Sequence, residues 1–166
     1  MYRIDDKIVH PLHGAGTIIE IEARRVDGQE KRYYAVRLQT GNVRILVPVE
    51  GCDRVGIRPV VTRERAYEVL AAFPSLDAGS DESWNRRYRE NMLRLKSGDL
   101  TEVLRVIKGL LLREAAHGLS AGERRMLVTA RGIFYSEMTI ATGEDEDALD
   151  ARLSAALDSI NGEEHA

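Results

Sequence analysis

The chain has 166 residues, 43% hydrophobic and 31% charged, with a net charge of −3; that is enough apolar material for a core and enough charge for solubility, which excludes wholesale disorder and leaves room for one large domain or two small ones. Its single cysteine, Cys52, excludes an internal disulfide and a cysteine-rich zinc site and fits a reducing cytosol. The acidic start Met1-Tyr2-Arg3-Ile4-Asp5-Asp6 lacks a signal peptide's apolar run, and no stretch approaches the roughly 18 apolar residues that span a bilayer, so a soluble cytoplasmic protein without membrane contact is expected.

The charge is unevenly placed. Residues 1–61 carry 10 Lys and Arg against 8 Asp and Glu, residues 62–142 carry 13 against 11, and residues 143–166 carry 1 against 8. A mildly basic body with an acidic end is compatible with touching nucleic acid but falls short of an autonomous DNA binder, so DNA contact would need a partner's help.

From Ile19 to Arg24 apolar and polar residues alternate, and the run meets Asp27-Gly28, a two-residue hairpin signal. Tyr33–Leu38 supplies the returning strand. The polar turn Gln39-Thr40-Gly41-Asn42 leads into Val43-Arg44-Ile45-Leu46-Val47-Pro48, where Pro48, lacking an N–H, is expected to end the pairing. Strands at this spacing predict a small, strongly bent sheet or five-stranded barrel. After residue 61 the apolar period changes from 2 to 3.6. Ala66, Val69, Leu70 and Phe73 form one stripe; Trp84, Tyr88, Met92 and Leu95 form a second, across a Pro/Ser/Asp/Gly loop from Pro74 to Asp81. Val103, Ile107, Leu110 and Leu111 mark a third helix. Ser120-Ala121-Gly122-Glu123 is a capping box that starts a long helix through Met126, Ala130, Ile133, Phe134 and Met138, and Leu149, Leu153, Ala156, Leu157 and Ile160 give a last, acidic one. The fold class is therefore α+β, with a β module over residues 1–61 and a bundle of about five α-helices over residues 62–166.

No constellation argues for catalysis. His10 and His13 lie three apart, but no third metal ligand is visible, and the surrounding His10–Thr17 loop lacks the Gly-Lys-Ser/Thr ending of a phosphate loop. Serine nucleophile elbows, HExxH and GxGxxG are missing as well. The expectation is a non-enzyme without metal or cofactor.

Two segments suit binding instead. If Val43, Ile45 and Val47 face the core, Arg44 and Leu46 point outward together, a guanidinium beside an aliphatic group, which fits a protein interface as well as an ordinary solvent face. Arg24 and Arg25 end the preceding strand and are placed beside them. In Ser83-Trp84-Asn85-Arg86-Arg87-Tyr88-Arg89 the tryptophan shares the stripe of Tyr88, Met92 and Leu95, so burial in the bundle is the first reading. The second is functional. Trp84 falls in the first turn, where the stripe leaves the bundle's edge, and Arg86, Arg87 and Arg89 fan around it, as minor-groove contact requires of a wedge and its phosphate-holding cations.

Val9-His10-Pro11-Leu12-His13-Gly14, Val47-Pro48 followed by Val55-Gly56-Ile57-Arg58, Trp84-Asn85-Arg86-Arg87-Tyr88 and Gly118–Leu127 together resemble the CarD/CdnL family of bacterial transcription regulators, over nearly the whole chain from Asp6 to the last helix. The resemblance implies an N-terminal Tudor-like module, shared with the transcription-repair coupling factor, that docks on the RNA polymerase β subunit. It also implies a helical domain that contacts promoter DNA at the upstream edge of the bubble and stabilises the open complex. By the same resemblance Trp84 is the wedge, Asn85, Arg86 and Arg89 lie on adjacent DNA backbone, and Arg24 is a docking arginine. Arg25, Arg44, Leu46 and Pro48 complete the candidate docking face, and Arg87 the candidate DNA site. Some members carry an arginine where this chain has Leu46, with Arg44 two residues earlier. One monomer per polymerase, cytoplasmic and on the nucleoid through the polymerase, is the implied state; a free-standing nucleic-acid-binding module acting without polymerase is the alternative.

Overall fold

The computed structural model describes residues 1–79 and 83–164. Strands β1 (Lys7–His10), β2 (Gly14–Val26), β3 (Gln29–Leu38), β4 (Arg44–Pro48) and β5 (Arg58–Pro59) form one antiparallel sheet in the order β4-β3-β2-β1-β5. A short helix, α1 (Cys52–Val55), links β4 to β5. The helices α2 (Arg63–Ala72), α3 (Trp84–Lys96), α4 (Leu100–His117), α5 (Ala121–Thr142) and α6 (Glu146–Glu164) follow, so the sequential α+β arrangement is as expected. Between α2 and α3 the predicted loop holds a 3-10 turn, Phe73–Ser75, and irregular chain to Gly79; its Ser80 and Asp81 lie outside the described residues.

Local chemistry accounts for the turns and helix starts. Asp27 and Gly28 both take positive φ, 51° and 77°, the pair of angles that a tight hairpin matched to strand twist requires. The Ser120 hydroxyl accepts from the Glu123 N–H at 3.2 Å while the Glu123 carboxylate accepts from the Ser120 N–H at 3.4 Å, the reciprocal cap read from the sequence. Thr62 and Asp99 cap α2 and α4 from one side only, each side chain accepting from backbone N–H groups of the first turn.

Two expectations about the sheet need correction. The alternation from Ile19 onward omits a β-bulge: Ile18 faces Val36 while Glu20 faces Ala35, leaving Ile19 as the extra residue. The bulge brings Ile18 and Ile21 into phase, and both pack into the sheet's core with Ile8, Tyr34, Val36 and Val47. Val43 does not face that core. It sits in the turn ahead of β4, 50% exposed, because the ladder begins only at Arg44 opposite Arg37. Pro48 ends the pairing as expected: it is the last residue of β4 and of its ladder, opposite Tyr33, and past it the Val49 N–H donates to the Arg32 carbonyl at 3.0 Å. β4 is an edge strand in the sheet order, where a missing N–H costs no ladder bond on the open side.

A second, larger core is helical, from Ala66, Val69 and Phe73 of α2 and its turn through Leu104, Ile107, Phe134 and Met138 to Leu149 and Leu153 of α6. Lys108 is buried beside it and donates to the carbonyls of Pro74 (2.8 Å) and Leu76 (2.7 Å), tying the chain that leads to α3 onto α4; burial lowers its ammonium below the usual lysine range. The sheet meets this bundle along α5. The Ala15 N–H donates to the buried Ser136 hydroxyl at 2.8 Å, and Gly14, with φ of +84°, lies so close to Ser136 and Ile133 that a Cβ there would collide.

Candidate functional site

At the N-terminal end of α3 the apolar stripe runs out of the bundle. Leu95 is 2% exposed and Met92 half-buried, while Tyr88 is 37% and Trp84 42% exposed. Of the two readings of Trp84, full burial is therefore excluded. Its ring stacks on Tyr88 with centroids 5.1 Å apart and planes 18° from parallel, and its Nε1–H donates to the Ser120 hydroxyl at 3.1 Å. Gly122 lies beside the indole, where a Cβ would stand in ordinary contact at 3.5 Å. The indole is thus held on one face and one edge and offers its remaining apolar surface outward.

The arginines around it divide. Arg86 is exposed and pairs with Glu90 at 3.5 Å one turn on, a solvated contact worth little. Arg89 and Asn85 are also exposed. Arg87 turns the other way: its side chain is 17% exposed and reaches within 3.9 Å of the buried Glu123, which Arg113 approaches at 3.3 Å. Trp84, Asn85, Arg86 and Arg89 thus share an open tip, and Arg87 lies behind it.

The register of the sheet sorts the second set. Leu46 faces Ala35, which faces Glu20; Pro48 faces Tyr33, which faces Glu22; and Lys31 faces Arg24. Side chains directly opposite point to one side of a sheet, so these residues share its outer face, with Arg44 reaching over β3 to Glu22 (2.6 Å) and Glu20 (3.4 Å). Glu22 also takes Arg24 at 3.5 Å and so joins the two arginines. Arg25 is not part of this group, because consecutive strand residues point to opposite faces. Beside Pro48 is a hollow of about 270 Å³ lined by Lys31, Arg32, Tyr33, Pro48 and Glu50.

His10 and His13 stand with ring centroids 4.5 Å apart. Burial, and then the neighbouring His13, push the His10 pKa below the ordinary histidine value. Its Nδ1 accepts from the Leu12 N–H at 3.1 Å, a turn contact. Among the described residues no three His, Cys, Asp or Glu side chains are grouped to hold a metal ion.

Sequence reasoning missed the residues that join the sheet to the helices, Arg58 and Glu137. The signal was present for Glu137: it sits one turn from Phe134 and next to Met138 in the apolar stripe of α5, where a solvated acid does not belong.

With this geometry in view, the family model described as "CarD-like/TRCF RID domain" matches residues 2–61, and that described as "CarD, C-terminal domain" matches residues 67–154. A Bacillus subtilis protein named "Putative transcription factor YdeB" is 29% identical over 149 residues, covering 90% of this chain and 97% of that protein.

Proposed function

Because the chain belongs to the CarD family of transcription factors and carries an RNA polymerase-interacting domain, we propose that it docks on the polymerase β subunit through residues 1–61 and stabilises the open promoter complex through residues 62–166. The observation that carries the DNA half is the tip of α3, a half-exposed tryptophan stacked on Tyr88 and held by Ser120, with two exposed arginines beside it. Trp84 is assigned as the wedge at the upstream edge of the bubble, and Asn85, Arg86 and Arg89 as its contacts to the DNA backbone. Arg87, turned inward, supports the tip from behind. Arg24, Arg44, Leu46 and Pro48 form the docking face; Arg25 reaches a partner only around the hairpin end.

No bond is made or broken in this mechanism. A factor that binds the open complex better than the closed one shifts the balance toward open by the difference in binding free energy. Docking supplies the concentration: a chain with net charge −3 binds DNA weakly by itself, and tethering raises the local concentration of the tip at the promoter. On this reading the protein works in the cytoplasm, on the nucleoid, as one monomer per polymerase.

The test is a docking variant, Arg24→Glu with Arg44→Glu. At equal concentration it is expected to lose both polymerase binding and the lengthening of open-complex lifetime. A variant that no longer binds polymerase yet stabilises open complexes as well as the parent would replace this reading with that of a free-standing nucleic-acid-binding module.

A further inference from the structure

Taking a carboxylate out of water is costly unless it is paired and hydrogen-bonded. Glu137 meets that condition through the sheet. Its side chain is 1% exposed, and Arg58 of β5 grips it with both prongs, Nη1 to Oε2 and Nη2 to Oε1, each at 2.7 Å. The Val61 N–H, just beyond β5, donates to Oε2 at 2.9 Å. Arg58 has a further hold: its Nε–H donates to the Gly98 carbonyl at 2.7 Å, immediately past the end of α3. One guanidinium therefore ties the last strand of the sheet to α5 and to the root of α3.

The contacts around it have the same effect. Pro11, from the turn after β1, lies between Gly56 and Gly98, where a Cβ would stand 2.9 Å and 3.7 Å from its Cγ. Ser136, next to Glu137 on α5, accepts from Ala15 of β2 at 2.8 Å. The joint thus holds at the adjacent Ser136 and Glu137 of α5 and at Gly98 beyond α3, and its hydrogen bonds need a defined orientation to form. A buried ion pair is weak evidence for stability, since apolar residues of similar size often do as well; a two-pronged pair adds directional geometry that apolar packing lacks.

Geometry matters here because of leverage. α3 moves with the bundle, because Trp84 is hydrogen-bonded to Ser120 at the start of α5. It spans 13 residues, about 20 Å at 1.5 Å per residue, so a swing of the bundle of about 10° about the Gly98 end moves the Trp84 end by about 3 Å. We propose that Arg58 and Glu137 are positioning residues: they fix the angle between the sheet and α3, so that docking the sheet on polymerase places Trp84 at the DNA. This rests on the function proposed above.

The experiment uses the full chain with Glu137→Gln, which keeps the volume and removes the charge, at a temperature where circular dichroism shows it folded. Spin labels at Gln29→Cys on the sheet and Leu93→Cys on α3, with the buried Cys52 left in place, report the distance between the two parts. The variant is expected to broaden that distribution and to shorten open-complex lifetime by about fivefold, the lower range of coupling between sites, while polymerase affinity changes by less than about twofold. A variant with one narrow distance, or with the parent's full effect on lifetime, overturns the positioning role. Arg58→Lys, which keeps the charge and loses the fork, carries the same test should Glu137→Gln not fold. If the parent itself fails to lengthen the lifetime, the underlying functional reading falls, and the distance measurement still decides whether the joint sets the angle.

Discussion

The joint beside α5 and the tip of α3 are built from similar side chains in opposite ways. At the joint, Arg58 and Glu137 meet at 2.7 Å with the acid 1% exposed; at the tip, Arg86 and Glu90 meet at 3.5 Å with side chains 65% and 43% exposed. Charge is locked where relative geometry has to be kept, and left in water where, on the proposed reading, it must exchange a loose partner for phosphate and release counterions. The aromatic rings differ likewise: Phe134 is fully buried in the bundle, while Trp84 is 42% exposed on a platform of Tyr88.

This contrast predicts a falling series of stability losses from joint to tip. Glu137→Ala leaves Arg58 without its partner and is expected to cost about 3 kcal/mol, the low end for a broken buried pair because Arg58 is partly exposed, or about 10 °C in Tm. A thermal melt within 2 °C of the parent would remove the distinction between joint and tip. Lys108→Met strands the carbonyls of Pro74 and Leu76 and is expected to cost about 1–2 kcal/mol in urea unfolding, part of the loss being offset by no longer burying an ammonium.

Asp150→Asn tests the hold of α6. Asp150 accepts from the Tyr135 hydroxyl at 2.6 Å and from Arg131, and the tyrosine bond first, then the arginine, keep its pKa below the usual aspartate value. A carboxyl depressed in the folded state stabilises fully above its unfolded pKa, about 3.9, and that contribution fades as pH falls through the lower folded value. The variant should therefore lose about 1 kcal/mol or less at neutral pH, given the exposure of the pair, and show a flatter stability curve below about pH 4. Arg86→Ala and Arg89→Ala close the series, with stability within about 0.5 kcal/mol of the parent and each lowering the salt slope of promoter binding by about 1 in the polymerase complex. A loss of stability at the tip equal to that at the joint would erase the contrast.

What the sequence made legible was local. Asp27-Gly28 and the Ser120–Glu123 box were readable because their chemistry is complete within a few residues, and the helices because each stripe needs only its own period. The failures required knowledge of neighbours. The end of β4 at Pro48 was readable, but that β4 is an edge was not, because strand order is not written in β4 itself. The bulge at Ile19 depends on β3, and it changes which isoleucines share a face. At the candidate site, the gradual exposure of the α3 stripe toward Trp84 followed from its position in the first turn. The separation of Arg87 from Arg86 and Arg89 did not, because it depends on Glu123 in another helix. Arg58 and Glu137, 79 residues apart, could not be paired from one sequence, although the acid's place in an apolar stripe marked it as unusual.

If Trp84 acts on DNA from a docked protein, removing its ring abolishes the effect on open complexes without weakening docking. The direct measurement is the lifetime of open complexes at a promoter that opens poorly, with bacterial RNA polymerase and either the parent protein or folded Trp84→Ala. The parent is expected to lengthen the lifetime, and the variant to bind polymerase equally well without doing so. Equal lifetimes with both proteins would rule out the wedge and leave Trp84 as a residue of the bundle's rim.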